Sequence, residues 1–212
     1  MTYEELWNLV KNWNGTENRP DHVWSLWKWS GWLPENAHVI EVGGCALGST
    51  VCLASQLKGE KSDVLSIECS WLSDGPNVFA GPVQSDVYDT KFLAALEHRR
   101  VAGMENKISL FPGTSMSFLH KYSKIPDNYY DLIYIDGAHT YDWVWEDCKL
   151  LHHLRVGGVV LFDDWIPEVI NAAVDAFKAT DYGWLQVHNE FHRAFQKVDW
   201  KYSRAGKTIN YS

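Results

Sequence analysis

DLIYIDGAHTYDWVWEDCKLLHHLRVGGVVLFDDW, residues 131–165, holds two short apolar runs, Leu132 to Ile135 and Val159 to Phe162. Each ends abruptly in carboxylates, Asp136 after the first run and Asp163 with Asp164 after the second. Runs of this kind read as buried strands. Between them Val144, Cys148, Leu151 and Leu154 form a helical stripe that opens near Thr140 and stops at Gly157-Gly158. Strand–helix–strand units cross over right-handed, so the two strands lie parallel and bring Asp136, Asp163 and Asp164 to one edge of a sheet. In open parallel sheets that edge binds ligands. Three carboxylates gathered there repel one another unless something positive lies among them, and a divalent cation is the simplest candidate.

The same alternation extends on both sides. From His38 onward, apolar strands recur about every 25 residues, each followed by a turn and a helix: His38–Val42, Asp63–Ile67 and Lys107–Phe111 precede the two above. Pro167 to Ala179 reads as a helix, and Trp184–His188 with Ala194–Trp200 read as an antiparallel hairpin. The expected fold is therefore α/β: a doubly wound, mostly parallel, seven-stranded Rossmann-like sheet closed by an antiparallel C-terminal hairpin. The segment Ser70–Asp89, rich in Gly and Pro, is the longest irregular piece and is placed to cover a ligand.

Residues 1–36 stand apart as a Trp-rich helical extension before a ligand-binding domain at 37–212. Six of the twelve tryptophans fall in it, which raises two readings: an aromatic lid over substrate, or helices packing Trp onto the sheet or onto a second subunit. Thr2 with Glu5 caps one helix, and Asp21 caps a second that runs to Gly31.

With 212 residues, 46% of them hydrophobic, the chain suffices for one full core. A net charge of −8 lacks the basic stripe that a nucleic-acid partner requires. No apolar run of membrane-spanning length and no signal sequence occurs, so a cytoplasmic protein without a membrane partner is expected, and the Trp faces allow a homo-oligomer. Cys45, Cys52, Cys69 and Cys148 show no metal-finger or disulfide spacing and read as free thiols.

The first strand runs into Glu41-Val-Gly-Gly-Cys-Ala-Leu-Gly-Ser-Thr50. Gly43, Gly44 and Gly48 allow a tight turn and close approach to a ligand, and Ser49 is placed to cap the following helix. Glu68 ends the second strand, where a carboxylate can accept both ribose hydroxyls of an adenosine-type cofactor. NAD and S-adenosylmethionine both carry that ribose. The glycines read Gly-Gly-x-x-x-Gly rather than the dinucleotide pattern, and Glu41 in front of them favours a cofactor with ammonium and sulfonium charges over a pyrophosphate.

These residues resemble class I S-adenosylmethionine-dependent methyltransferases and, within them, the metal-dependent small-molecule O-methyltransferases of macrocin and catechol type. The likeness covers about residues 36 to 180, and its most specific part is IDG-x-H-x-Y, a helix, a Gly-Gly turn and Asp-Asp. The resemblance implies that Glu41, Gly43, Gly48 and Ser49 hold the methionine part of the cofactor, Glu68 its ribose, and Ser115 its adenine. It implies Asp136 at both cofactor and metal, with Asp163 and Asp164 completing a Mg²⁺ site. Leu47 stands where the family often has glycine, and Asp164 where catechol-type enzymes have Asn.

The implied reaction is O-methylation of a small hydroxylated molecule, a sugar or phenol. The ion would lower the pKa of the acceptor hydroxyl and His139 would take its proton. Adjacent residues on a strand point to opposite faces, so a second reading has one of Asp163 and Asp164 capping a turn and His139 bracing the loop. Other readings are a cofactor-binding protein without methyl transfer and an NAD-dependent enzyme. His188 and His192 read as structural.

Overall fold

The computed structural model describes residues 1–13, 19–71, 90–188 and 191–199. Its strands are β1 (His38–Val42), β2 (Asp63–Glu68), β3 (Ile108–Pro112), β4 (Tyr130–Ile135), β5 (Leu154–Phe162), β6 (Gly183–His188) and β7 (Arg193–Val198). The helices are α1 (Tyr3–Val10), α2 (Pro20–Trp32), α3 (Gly48–Ala54), α4 (Thr90–Val101), α5 (Ser115–Lys121), α6 (Tyr141–Asp147) and α7 (Pro167–Lys178). The strand order is β3-β2-β1-β4-β5-β7-β6, with β1 to β5 parallel and β7 antiparallel to both β5 and β6. This is the doubly wound sheet expected from the strand spacing. The order reverses between β1 and β4, so a crevice opens at their carboxyl ends, where the Gly-rich turn and Asp136 meet.

Two apolar layers sandwich the sheet. On one side Val39, Val64, Leu132 and Leu161 meet α3 and the N-terminal helices through Leu6, Val10, Val23, Leu26 and Trp29. On the other, Ile40, Ile133, Val160 and Phe162 meet Val144, Leu151, Ala173 and Phe177. The packing reading of the N-terminal tryptophans is therefore the one the structure bears out for Trp29, while Trp32 stays 63% exposed. The α1 helix carries the expected capping box of Thr2 with Glu5. Asp21 does not cap α2: Pro20 takes the first helical position, Arg19 precedes it, and Asp21 lies in the first turn.

Gly157-Gly158 do not stop a helix. Helix α6 ends at Asp147, a 3-10 segment covers Cys148–His153, and the glycines lie inside β5, where the register against β4 jumps between Tyr130 and Leu132. Gly157 takes φ +85°, and a Cβ on Gly158 would lie 2.8 Å from the Leu154 side chain. The pair makes a bulge rather than a terminator. The segment 72–89 lies outside the described residues, as does Trp200 of the expected last strand. No helix among the described residues is long and apolar enough to cross a membrane.

At the amino ends of the strands, away from the crevice, buried Asp131 accepts the backbone N–H of His38 at 2.7 Å and pairs with Arg155 Nε at 2.8 Å, joining β1, β4 and β5. Asp131→Ala leaves an orphaned amide and an unpaired guanidinium, and is expected to cost about 3 kcal/mol in urea unfolding. A loss under ~1 kcal/mol would show that this carboxylate does not hold the three strands.

Candidate functional site

At the carboxyl edge of β1, β2 and β4 lies a cavity of about 440 Å³ lined by the Gly-rich turn, Glu68, Ser115, Asp136, Trp143 and Asp147. The turn is shaped by close approach. Gly43 has φ +101°, and a Cβ there would lie 2.0 Å from the Asp136 carbonyl oxygen; on Gly44 it would lie 1.9 Å from Ser66 Oγ. Larger residues at either place would push the turn off the sheet.

Leu47, which stands where the family resemblance implies glycine, adopts the left-handed conformation, with φ +67°. Its side chain is fully buried. Left-handed backbone costs a leucine about 1–2 kcal/mol, and burying the side chain returns about 1.5–3, so the substitution is tolerated.

Glu41 differs from expectation. It is fully buried beneath the turn and is not among the cavity-lining residues, because its oxygens accept the hydroxyls of Ser49 at 2.5 Å, Ser66 at 2.8 Å and Thr50. Burial raises its pKa although all three hydroxyls oppose the rise. Ser49 consequently does not cap α3, whose N-cap is Leu47 without a side-chain hydrogen bond. Gly48 opens that helix at the cavity wall.

Glu68 does face the cavity. Its two oxygens accept one backbone N–H each, from Cys45 at 2.9 Å and Ser70 at 2.7 Å, which fixes the carboxylate and leaves each oxygen a further lone pair. Across the cavity Ser115 donates to Asp147 Oδ1 at 2.5 Å. Asp147 is buried, and that burial pushes its carboxyl up to about 7 against the pull of the Ser115 hydrogen bond.

The three carboxylates expected to converge on one ion do not. Among the described residues, Asp136, Asp163 and Asp164 form no common cluster at ligand spacing. Asp163 and Asp164 follow the end of β5 and turn to different surroundings. Asp163 turns inward, its side chain 3% exposed, toward Arg19 Nη2 (3.3 Å), His22 Nδ1 (3.1 Å) and His192 Nε2 (3.1 Å). Burial alone would raise its pKa, but His192 and His22 hold it well below the usual carboxylate range. His192 itself is pushed down to about 4 by burial and is neutral at pH 7. Asp164 stays half exposed and meets His139 Nδ1 at 3.0 Å. Arg19 thus supplies a permanent positive charge beside Asp163, and His22 and His192 complete its surroundings.

Tyr134 links the two strand ends. Its hydroxyl lies 3.1 Å from Asp136 Oδ2 and 3.0 Å from Asp163 Oδ1. One phenolic hydrogen serves one acceptor. Burial, with the Asp163 and Glu41 charges adding, pushes Asp136 up to about 7, so a protonated Asp136 can donate to the phenol oxygen while the phenol donates to Asp163. His139 Nε2 sits 3.7 Å from Asp136 Oδ1, beyond a good hydrogen bond, and has no hydrogen-bond partner. The Asp136 interaction comes first among the causes that raise the His139 pKa, and the Asp164 charge adds to it.

Asp147 was legible in part: it falls beside Val144 and Cys148 on the apolar stripe, where a carboxylate is conspicuous. Arg19, His22 and His192 carried no local signal. His22 and His192 meet at one carboxylate from opposite ends of the chain.

Residues 40–165 match a protein-family model described as a methyltransferase domain. No curated protein matches the chain. Among solved structures, an O-methyltransferase from Bacillus cereus in complex with SAH is 16% identical, with 93% of this chain and 90% of that one covered and a TM-score of 0.60. The SAH-bound methyltransferase of Podospora anserina is 14% identical, at 93% and 88% coverage and TM-score 0.63. The O-methyltransferase TomG from Streptomyces achromogenes, in complex with SAM and involved in tomaymycin synthesis, is 13% identical, at 92% and 90% coverage and TM-score 0.63. At these identities the likeness is one of fold.

The raised Asp147 pKa has a stability sign. Between an unfolded value near 3.8 and a folded value of about 7 the native state binds the extra proton, so stability falls as pH rises through that window. Asp147→Asn keeps an acceptor for Ser115 without the charge. Its melting point at pH 8 should exceed the parent's by several degrees, with about 4 kcal/mol as the ceiling, and the gain should vanish below pH 4. A lower midpoint than the parent's at pH 8 would show that the ionised form is not penalised.

Proposed function

The chain belongs to this methyltransferase family, and on that premise we propose that it moves the methyl group of S-adenosylmethionine to a hydroxyl oxygen of a small molecule, of sugar or phenol kind. One observation carries the reading: a cavity with a fixed ribose-type carboxylate, Glu68, opens beside a histidine whose Nδ1 is held by Asp164 and whose Nε2 is unpartnered. The solved structures that share the fold and carry SAM or SAH support the same cofactor.

Glu68 accepts the two ribose hydroxyls with its remaining lone pairs. Ser115 and Asp147 lie at the far wall, where an adenine edge offers donors. Transfer is an in-line displacement in which the acceptor O–CH₃ bond forms as the S–CH₃ bond breaks, so positioning supplies much of the acceleration. Asp164 keeps His139 in the Nδ1–H tautomer, and Nε2 takes the acceptor proton. The proton ends on imidazole, the methyl group on oxygen, and the cofactor leaves as a neutral thioether. Magnesium prefers a cage of oxygens, whereas here Asp163 is turned to Arg19 and two histidines, and Asp164 to His139; no step of the proposal runs through that ion. The charge of −8 supports a small acceptor rather than nucleic acid.

Calorimetric titration with S-adenosylmethionine tests the cofactor. Binding is expected for the parent, with at least about tenfold weakening in Glu68→Ala and no response to NAD. Label transfer from methyl-labelled cofactor to a panel of sugars and catechols tests the acceptor class. His139→Ala should lose about 10²–10⁴-fold in kcat with cofactor affinity nearly unchanged. In the parent, kcat/KM should rise with pH through a midpoint above the ordinary 6.5 of histidine, because the base must be neutral and its pKa is raised, and Asp164→Asn should move that midpoint down. Undiminished turnover by His139→Ala would remove it as the base, and absence of cofactor binding would overturn the reading.

A further inference from the structure

We infer that His22, Asp163 and His192 form a binding site for one divalent transition-metal ion of the zinc, cobalt or iron(II) class, which pins helix α2 and the β6–β7 hairpin to the end of β5. The three residues are buried, and one ligand atom from each lies within 4.8 Å of the others.

Both histidine–carboxylate spacings are those of a coordination shell, and the two imidazole nitrogens lie within 4.8 Å of one another. Asp163 Oδ1 is 3.1 Å from His22 Nδ1 and 3.1 Å from His192 Nε2. Two ligand atoms bound about 2.1 Å from one ion, at octahedral or tetrahedral angles, are about 2.9–3.4 Å apart. Hydrogen bonding does not account for the same contacts: both ring nitrogens of His22 and Nε2 of His192 are buried and lack a hydrogen-bond partner. Three fully buried imidazole nitrogens without partners would be costly if nothing else bound them.

The outer contacts agree. His192 Nδ1 lies 2.7 Å from Ser25 Oγ. When that nitrogen carries the hydrogen, Nε2 presents a lone pair toward a carboxylate lone pair, which repel unless a cation sits between them, and an imidazole fixed at its other nitrogen is the usual arrangement of a ligating histidine. Tyr134 donates to Oδ1 and Arg19 to Oδ2, so Asp163 offers the ion a single oxygen. Two imidazoles and one carboxylate suit zinc, cobalt or iron(II) and suit magnesium poorly.

The test reads metal directly and does not depend on methyl transfer. Full-length protein is stripped with chelator, dialysed and titrated with Co²⁺ or Zn²⁺. One equivalent per chain is expected, with a visible d–d spectrum for cobalt and a melting point raised by several degrees by Zn²⁺ but not by Mg²⁺. His22→Gln and His192→Gln should each weaken binding at least tenfold. Should either fail to fold, X-ray absorption at the zinc edge on the parent reads the ligands instead, and two imidazoles with oxygen are expected. Sulfur ligation, which would place the ion at the free cysteines, absence of stoichiometric binding, or undiminished affinity in a folded variant would each overturn the site.

Discussion

Asp163 is an ion that has been taken almost out of water at the end of a buried strand, and much of the architecture around the crevice follows from compensating it. A lone carboxylate there would cost several kcal/mol, so the chain brings Arg19 from just before α2, His22 from its first turn, His192 from the edge of β7 and the hydroxyl of Tyr134 to its two oxygens. The N-terminal segment is consequently part of the site. It contributes to the same apolar layer as α3, and the arginine and histidine that come with it reach the carboxyl edge of the sheet. Removing the N-terminal segment would take away both Arg19 and His22, and removing the hairpin would take away His192.

A second buried carboxylate organises the other half of the crevice. Glu41 lies under the Gly-rich turn and gathers Ser49, Thr50 and Ser66, tying β1, the start of α3 and β2 together. Above it the turn can approach the end of β4 because Gly43 has no Cβ, and can lie against Ser66 of β2 because Gly44 has none. The two carboxylates thus play supporting parts, one below the cofactor loop and one behind Tyr134, while Glu68 and Asp136 face the cavity.

Division of labour among carboxylates also separates their protonation. Asp163 is held ionised, Asp136 and Asp147 are pushed toward neutrality by burial, and Asp164 remains half exposed beside His139. Environments that push similar groups apart are what acid–base chemistry near neutral pH requires. In the proposed methyl transfer the demanding step for the protein is to hold a hydroxyl in line with a sulfonium and to accept its proton, the task proposed for the His139–Asp164 pair.

The recurrence of short apolar runs, the helical stripes between them and the carboxylates that end the runs are local properties, and they alone pointed to the sheet, its parallel core and the terminal hairpin. The IDGAHTY and DDW segments were enough to point to the family. Local pattern could not tell a glycine pair that ends a helix from one that makes a bulge, because Gly157-Gly158 are permissive in either setting and the neighbouring strand decides. Nor could it say that Glu41 faces the core rather than the cavity, or that Asp163 meets histidines rather than its fellow carboxylates. Those outcomes rest on which side chains far along the chain arrive at a buried charge. Only the tertiary structure decides that, since the cost of burying an ion is set by its three-dimensional surroundings and not by its neighbours in sequence.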